Sequence, residues 1–144
     1  METIRRAVRE DAPRVAQLAA DLGYTINSDS VGAAIDRLHS NEGAIFVADA
    51  GEHLTGWIHI YRSHVIQTEP FAEVGGLVVD PLSRGEGIGR RLLEAAERWA
   101  SANDLTLVRV RSNIVRSNAH RFYERRGYDV EKTSYTFIKS LNDA

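Results

Sequence analysis

Apolar and polar positions repeat with two different periods along the chain, and these periods separate predicted helices from predicted strands. Apolar residues at helical spacing predict four helices, at residues 10–24, 28–40, 88–102 and 115–127. Alternating or short apolar runs predict six strands, at residues 4–8, 43–50, 54–66, 70–80, 105–112 and 128–141. The order β-α-α-β-β-β-α-β-α-β indicates an α/β fold in which helices cover both faces of a sheet.

The length and composition favour a single domain over residues 1–144, with 43% hydrophobic and 26% charged residues. No apolar run has the length of a membrane span, and the charged start METIRRAVRED lacks the apolar segment of a secretory signal. The chain has no cysteine, which excludes disulfides, thiolate metal sites and a cysteine nucleophile. We therefore expect a cytoplasmic protein without a membrane partner.

The charges are divided unevenly, although the net charge of −2 is small. Residues 1–80 carry 6 Lys/Arg and 12 Asp/Glu, net −6, whereas residues 81–144 carry 12 and 8, net +4. The overall balance argues against general nucleic-acid binding. A basic second half suits an anionic ligand and an acidic first half suits a cationic one, unless both are ordinary surface scatter.

A glycine-rich turn joins the apolar strand at 70–80 to the helix at 88–102. Arg84 precedes Gly85, Gly87 and Gly89, and Arg90 follows them. The first amides of a helix lack partners and carry the positive end of its dipole, so glycines there let an anion approach the backbone. The spacing G-x-G-x-G matches neither the dinucleotide loop nor the Walker A loop. A plain strand-to-helix turn is the alternative.

Two segments together resemble a known family. RGEGIG, residues 84–89, has the form R/Q-x-x-G-x-G/A after a strand, which is similar to the acetyl-CoA signature of the GNAT superfamily of N-acetyltransferases. NAHRFYERRGY, residues 118–128, is similar to its A-x-x-x-Y-x-x-x-G-[FY] pattern. The resemblance covers essentially the whole chain. It implies a mixed, mostly antiparallel six- or seven-stranded sheet with splayed central strands and about four helices, and acetyl-CoA as co-substrate.

The resemblance also implies which residues hold acetyl-CoA. Backbone groups of Leu77, Val78 and Val79 would bind the pantetheine arm like an added strand. The amides of the glycine turn would bind the pyrophosphate, with arginines beside them. The residues of that turn are Arg84, Gly85, Glu86, Gly87, Ile88, Gly89 and Arg90. At a position where the family often has an Asn that contacts pantetheine, this chain has Arg116. Asn113 or Asn118 would make that contact instead.

The family's general acid corresponds to Tyr123, whose phenol would protonate the departing thiolate and lie near the cofactor. The general base is predicted to be Glu73, a carboxylate that interrupts an apolar strand. A histidine or water is the alternative base, and the candidates are His59, His64 and His120. No set of His, Asp or Glu has convincing metal spacing, and the reaction needs no metal.

The acceptor is predicted to be a primary amine attacked directly, since there is no cysteine to carry an acetyl group. The acceptor wall implied by the resemblance comprises Tyr24, Trp57, Tyr61 and Glu69. The acidic first half favours a small cationic amine. A protein N-terminus or lysine is the alternative acceptor, and a catalytically inactive CoA-binding domain is the alternative function. A homodimer is common in this family.

Overall fold

The computed structural model describes residues 2–38, 41–112 and 117–142, in two compact units, Met1–Val110 and Arg111–Ala144. The strands are β1 (Thr3–Arg6), β2 (Gly43–Asp49), β3 (Leu54–Ser63), β4 (Phe71–Val79) and β5 (Val108–Val110). The helices are α1 (Ala12–Ala20), α2 (Ser28–Arg37), α3 (Ile88–Ala102) and, in the second unit, α4 (Ser117–Arg125). Two 3-10 turns lie at Arg9–Asp11 and Pro81–Ser83.

The sheet has the order β1-β2-β3-β4-β5. The first three pairings are antiparallel, and β4 pairs with β5 in parallel. Parallel neighbours need a crossover, which α3 supplies here. The predicted mixed, mostly antiparallel sheet is therefore confirmed, and so are the hairpin of β2 with β3 and the four predicted helices.

The strand count needs a correction, because the described residues form five strands and not six or seven. The strand predicted at 128–141 is not assigned, although the same stretch is described through residue 142. Its large apolar side chains are exposed, with Tyr135 at 89%, Phe137 at 91% and Ile138 at 95%. Apolar alternation shows that a segment could offer one face to a core, but a strand also needs a pairing partner.

Helices pack against both faces of the sheet, as predicted. On one face, α1 and α2 form a core cluster with the strands, which includes Leu18, Val31, Val47 and Val78. On the other face, α3 contributes Ile88, Leu92, Leu93 and Ala96, each at most 1% exposed. A Cβ at Gly56 would lie 3.1 Å from Leu92 and 2.8 Å from the Val78 carbonyl oxygen. This glycine therefore lets α3 lie close against β3.

An arginine–carboxylate cluster fixes the chain between β1 and α1. Both carboxylate oxygens of Asp11 accept hydrogen bonds from Arg5, at 2.8 and 3.0 Å, and Oδ2 also accepts from the amide of Val8 at 2.8 Å. Arg5 Nε also donates to Asp49 Oδ2 at 3.0 Å. Burial by itself raises the pKa of Asp11, but the hydrogen bonds from Arg5 and Val8 outweigh it and leave that pKa below its ordinary value.

Within the described ranges, no helix combines the length and apolar character that crossing a membrane requires.

Candidate active site

A β-bulge in the middle of β4 organises the site. Ile60 of β3 lies opposite Val74 and His59 lies opposite Gly76, so Gly75 is the extra residue on β4. Side chains alternate along a strand, and one extra residue reverses that alternation. Glu73 before the bulge and Val78 after it therefore point to the same face of the sheet, the face of α1 and α2.

The two glycines at the bulge make room for side chains of β3. A Cβ at Gly75 would lie 2.8 Å from His59 Nδ1, and a Cβ at Gly76 would lie 2.9 Å from the six-membered ring of Trp57. Contacts this short do not occur for real side chains, so larger residues would displace the ring or the strand. The side chains of β3 consequently lie directly over the backbone of β4.

The same face carries a hydrogen-bonded tyrosine and carboxylate. Tyr61 Oη donates to Glu73 Oε2 at 2.9 Å, and both residues are half-buried. The rings of His59 and Tyr61 lie 5.3 Å apart, centroid to centroid. Strand register explains the contact, because Tyr61 and Glu73 are directly opposite each other on neighbouring antiparallel strands.

Two polar atoms on the same face of β3, His59 Nε2 and Trp57 Nε1, are buried and have no hydrogen-bond partner among the described residues. Burial lowers the pKa of His59, because it penalises the charged imidazolium. His59 is therefore neutral at pH 7 and adds no positive charge beside Glu73. The Trp57 ring is half-buried and packs against the core cluster of α1 and α2.

The pairing of β4 with β5 is short and covers only Ala72 to Val74 in the described residues. The β4 strand continues to Val79, still paired with β3 on its other side. In the described residues, the part of β4 that pairs with β5 thus ends at Val74, three residues before the segment Leu77–Val79.

The glycine turn leads from β4 to α3 with two residues in the left-handed region. Gly85 has φ +87° and Gly87, the N-cap of α3, has φ +78°. A Cβ at Gly85 would meet nothing within 4 Å, so its surroundings are open. Ile88 is only 1% exposed and can offer a ligand nothing but its backbone.

Electrostatics at this turn favour an anion. The first turn of α3 contains no acidic residue, and the N-cap Gly87 has no side chain to satisfy the leading amides. Arg84 and Glu86 are exposed, and Gly89 is half-buried. Arg90 donates to Glu94 at 3.4 Å across one turn of α3, a weak surface contact that leaves the guanidinium at the mouth of the turn.

The second unit carries Asn118 and Tyr123 on α4. Asn118 is exposed, and its Oδ1 accepts a hydrogen bond from Arg121 at 3.0 Å. The half-buried Tyr123 ring lies edge-on to Phe122 and to Tyr128, with centroids 5.2 and 5.8 Å away. Asn113 and Arg116 lie outside the described residues. The ring contacts hold Tyr123 in a local aromatic cluster within this unit.

The remaining predicted residues lie at the surface. Tyr24, in the connection between α1 and α2, is 57% exposed. Glu69 is exposed in the loop between β3 and β4, and His64 is exposed in the same loop. His120 is half-buried on α4 in the second unit. Among the predicted acceptor residues, the structure therefore brings only Trp57 and Tyr61 onto one strand face with Glu73.

Two features of the site were not anticipated from the sequence. The bulge was missed, although two successive glycines inside an apolar strand are a recognised signal for one. An ion pair between Asp80 and Arg14, at 2.9 Å, was also missed. Residues 66 positions apart carry no local sequence signal for such a contact.

Comparisons with known proteins identify the family and the fold. The model of the Acetyltransferase (GNAT) family matches residues 6–128. Aminoalkylphosphonate N-acetyltransferase of Salmonella typhimurium is 33% identical over 96% of this chain and 90% of its own length. Among solved structures, aminoglycoside N-acetyltransferase AAC(6')-Iy in complex with CoA aligns with a TM-score of 0.84 at 17% identity, covering 96% of this chain and 95% of its own.

An aminoglycoside acetyltransferase from an uncultured soil metagenomic sample aligns with a TM-score of 0.81 at 21% identity, over 98% of this chain and 97% of its own. At these identities the structural likeness shows the fold. Together with the family match, it identifies the class of protein. The chain belongs to the GNAT family, as an acetyltransferase that uses acetyl-CoA as co-substrate and an amine as acceptor.

Proposed function

We propose that this enzyme acetylates a small, cationic primary amine by direct attack on acetyl-CoA. The observation that carries the proposal is the Glu73 carboxylate, which Tyr61 holds at 2.9 Å on the sheet face beside the bulge. A carboxylate there can attract a protonated amine and accept its proton. The neutral His59 next to Tyr61 adds no repulsion toward such a cation.

The donor would bind along β4 and the glycine turn. The backbone of Leu77, Val78 and Val79 follows the part of β4 that pairs with β5 in the described residues, and an extended pantetheine arm would bind along it like an added strand. The pyrophosphate would bind the amides between Gly85 and Gly89, where open space and the N-terminus of α3 favour an anion. Asn118, or Asn113, would contribute a further contact to pantetheine.

The chemical step needs a base and an acid. Glu73 removes a proton from the ammonium group of the acceptor, and the resulting amine nitrogen bonds to the thioester carbonyl carbon. The carbon–sulfur bond then breaks, and Tyr123 donates its proton to the departing thiolate of CoA. The nitrogen loses its second proton to water, Glu73 releases its proton to water, and the Tyr123 phenolate regains one from water, so that one proton is released in each turnover. The chain has no cysteine, so no acetylated cysteine intermediate is involved.

The acceptor class is supported by the side chains around Glu73 and by the relatives. Trp57 and Tyr61 supply aromatic surface, and the exposed Tyr24 and Glu69 would complete the wall. The curated relatives include an aminoalkylphosphonate N-acetyltransferase and an aminoglycoside N(6')-acetyltransferase, both named for amine-bearing small molecules. We therefore propose an amine-bearing small molecule as the acceptor, with its ammonium group at Glu73.

Thiol release from acetyl-CoA should therefore depend on added small amines. The panel comprises aminoalkylphosphonates, aminoglycosides, polyamines and amino acids, with a lysine-bearing peptide and a peptide with a free N-terminus as protein-like acceptors. We expect turnover with at least one small amine and its N-acetyl product by mass spectrometry. Turnover confined to the peptides would contradict the acceptor class, and CoA binding without turnover on any amine would contradict catalysis.

The pyrophosphate assignment can be tested with two glycines in matched backbone conformations. Gly85 has φ +87° and Gly51, in the turn between β2 and β3, has φ +95°, and a Cβ at either would meet nothing within 4 Å. Each alanine variant should lose about 1 kcal/mol of stability through left-handed strain. Calorimetry should show CoA affinity falling about tenfold, or about 1.4 kcal/mol, for Gly85→Ala only. Equal CoA affinities in the two variants would show that the pyrophosphate does not bind at this turn.

Glu73→Gln should lower kcat by about 10²–10⁴ with little change in the KM of acetyl-CoA, because the amide cannot accept the proton. The substitution preserves size and an oxygen that can accept the Tyr61 hydrogen bond. Tyr61→Phe is the comparison, since it removes that bond and leaves the carboxylate, and its kcat should fall less. A Glu73→Gln enzyme with wild-type kcat would show that another group is the base.

Tyr123→Phe should lower kcat by about 10²–10⁴ while CoA affinity, measured by calorimetry, stays near the wild-type value. Tyr128→Phe is the matched control, because it removes a hydroxyl from the neighbouring ring of the same cluster. The family pattern also accepts Phe at that position. Similar kcat values for the two variants would leave Tyr123 with a packing role only.

A further inference from the structure

The carboxylate of Asp80 occupies the junction between β4 and the glycine turn. It is 9% exposed, and each of its oxygens has a defined partner. Oδ1 accepts from the amide of Leu82 at 3.1 Å, and Oδ2 accepts from Arg14 Nη2 at 2.9 Å. Its backbone is held as well, because its amide donates to the Thr55 carbonyl and its carbonyl accepts from the Ser83 amide, at 2.8 and 2.9 Å.

Arg14 connects this junction to two other elements. It projects from α1, and its Nε donates to the carbonyl of Leu54, the first residue of β3, at 3.0 Å. Its Nη1 donates to Gln17 on the next turn of α1 at 3.1 Å. One guanidinium therefore joins α1, the start of β3 and the end of β4, and a planar group with several fixed donors is suited to such a connection.

The glycine turn itself has few features that hold it in place. Gly85 has open space around it, and Gly87 brings no side chain to the cap of α3. Glycines make the turn conformationally free before the ligand binds, and binding through its amides must order it. This entropy loss lowers the affinity unless other residues already fix the path of the turn. On the β4 side of the turn, the fixed points are Asp80 and the following Pro81, whose ring restricts φ.

We propose that Asp80, held by Arg14, is a positioning residue that sets the direction in which the chain leaves β4 and so presents the turn amides to the pyrophosphate of acetyl-CoA. This inference rests on the proposed pyrophosphate site. Arg14 also offsets the negative charge of Asp80, which stands four residues before Arg84 and would otherwise oppose an anion there. The pair thus orders the turn without lowering its attraction for phosphate.

The experiment compares two acetyl donors that differ in the phosphorylated ADP portion of CoA, which contains the pyrophosphate. Acetyl-CoA carries it, whereas acetyl-pantetheine has the same thioester and arm without it. In the wild-type enzyme kcat/KM should be far higher for acetyl-CoA. In Asp80→Asn the amide nitrogen must face either the Arg14 donor or the Leu82 amide, so one of the two hydrogen bonds is lost. The KM of acetyl-CoA should then rise about tenfold at nearly constant kcat. The kcat/KM for acetyl-pantetheine should stay within about twofold, because that donor never reaches the turn.

Asp11→Asn is the matched control, because Asp11 is also a buried carboxylate, 8% exposed, that binds an arginine and a backbone amide near α1. It should lower the thermal midpoint of unfolding about as much as Asp80→Asn does. The donor ratio, which is kcat/KM for acetyl-CoA divided by kcat/KM for acetyl-pantetheine, should stay unchanged. Arg14→Lys, which keeps the charge but loses the forked donors, should shift the ratio in the same direction as Asp80→Asn by a smaller factor. It also provides the test if Asp80→Asn fails to fold.

Each outcome has a definite meaning. A lower donor ratio in Asp80→Asn and Arg14→Lys, but not in Asp11→Asn, supports the proposal. An unchanged ratio, or an equal fall with both donors, overturns the positioning role and leaves the pyrophosphate site intact. If the wild-type enzyme itself uses both donors equally well, the pyrophosphate assignment fails and the positioning role fails with it.

Discussion

The close approach of β3 side chains to the backbone of β4 is the constraint on which the site depends. His59 and Trp57 occupy the space that side chains at Gly75 and Gly76 would need. The extra residue at Gly75 then turns Glu73 and Val78 to the same face, so that one strand supplies both a half-buried carboxylate and a core contact there. The bulge follows directly after Val74, the last residue of β4 that pairs with β5 in the described residues.

Part of the negative charge in the first half of the chain lies in buried ion pairs. Asp11 and Asp80, both in the acidic first half, are buried against Arg5 and Arg14 and serve to join elements. They therefore do not contribute an open negative surface, and the division of charge by halves overstates the field at the acceptor site. Glu73, in contrast, is half-buried on the face of α1 and α2, where we propose that its carboxylate attracts the amine.

Much of the fold could be predicted because its signals are local. The bounds of α3 were predicted as 88–102 and are observed there, since glycines precede the helix and its apolar stripe is regular. The sixth strand was predicted from alternation at 128–141, but pairing depends on a partner elsewhere in the chain. The Asp80–Arg14 contact escaped prediction for the same reason, and the roles of Asn118 and Tyr123 stay predictions carried by the motif.

Glycine itself shows why local sequence was not sufficient at the site. Gly75 and Gly76 in β4, and Gly85 and Gly87 in the turn, are all closely spaced glycines in the sequence. The two pairs nevertheless meet different physical requirements. Gly75 and Gly76 keep a strand conformation, and their importance comes from the rings that crowd them. Gly85 and Gly87 have positive φ, and Gly85 has open space around it, so their importance comes from the backbone path and from what can approach it. In the proposed function, the crowded pair shapes the face that binds the acceptor, and the open pair leaves amides for the donor. The same residue type would then serve both halves of an acetyl transfer, along one strand and the turn that follows it.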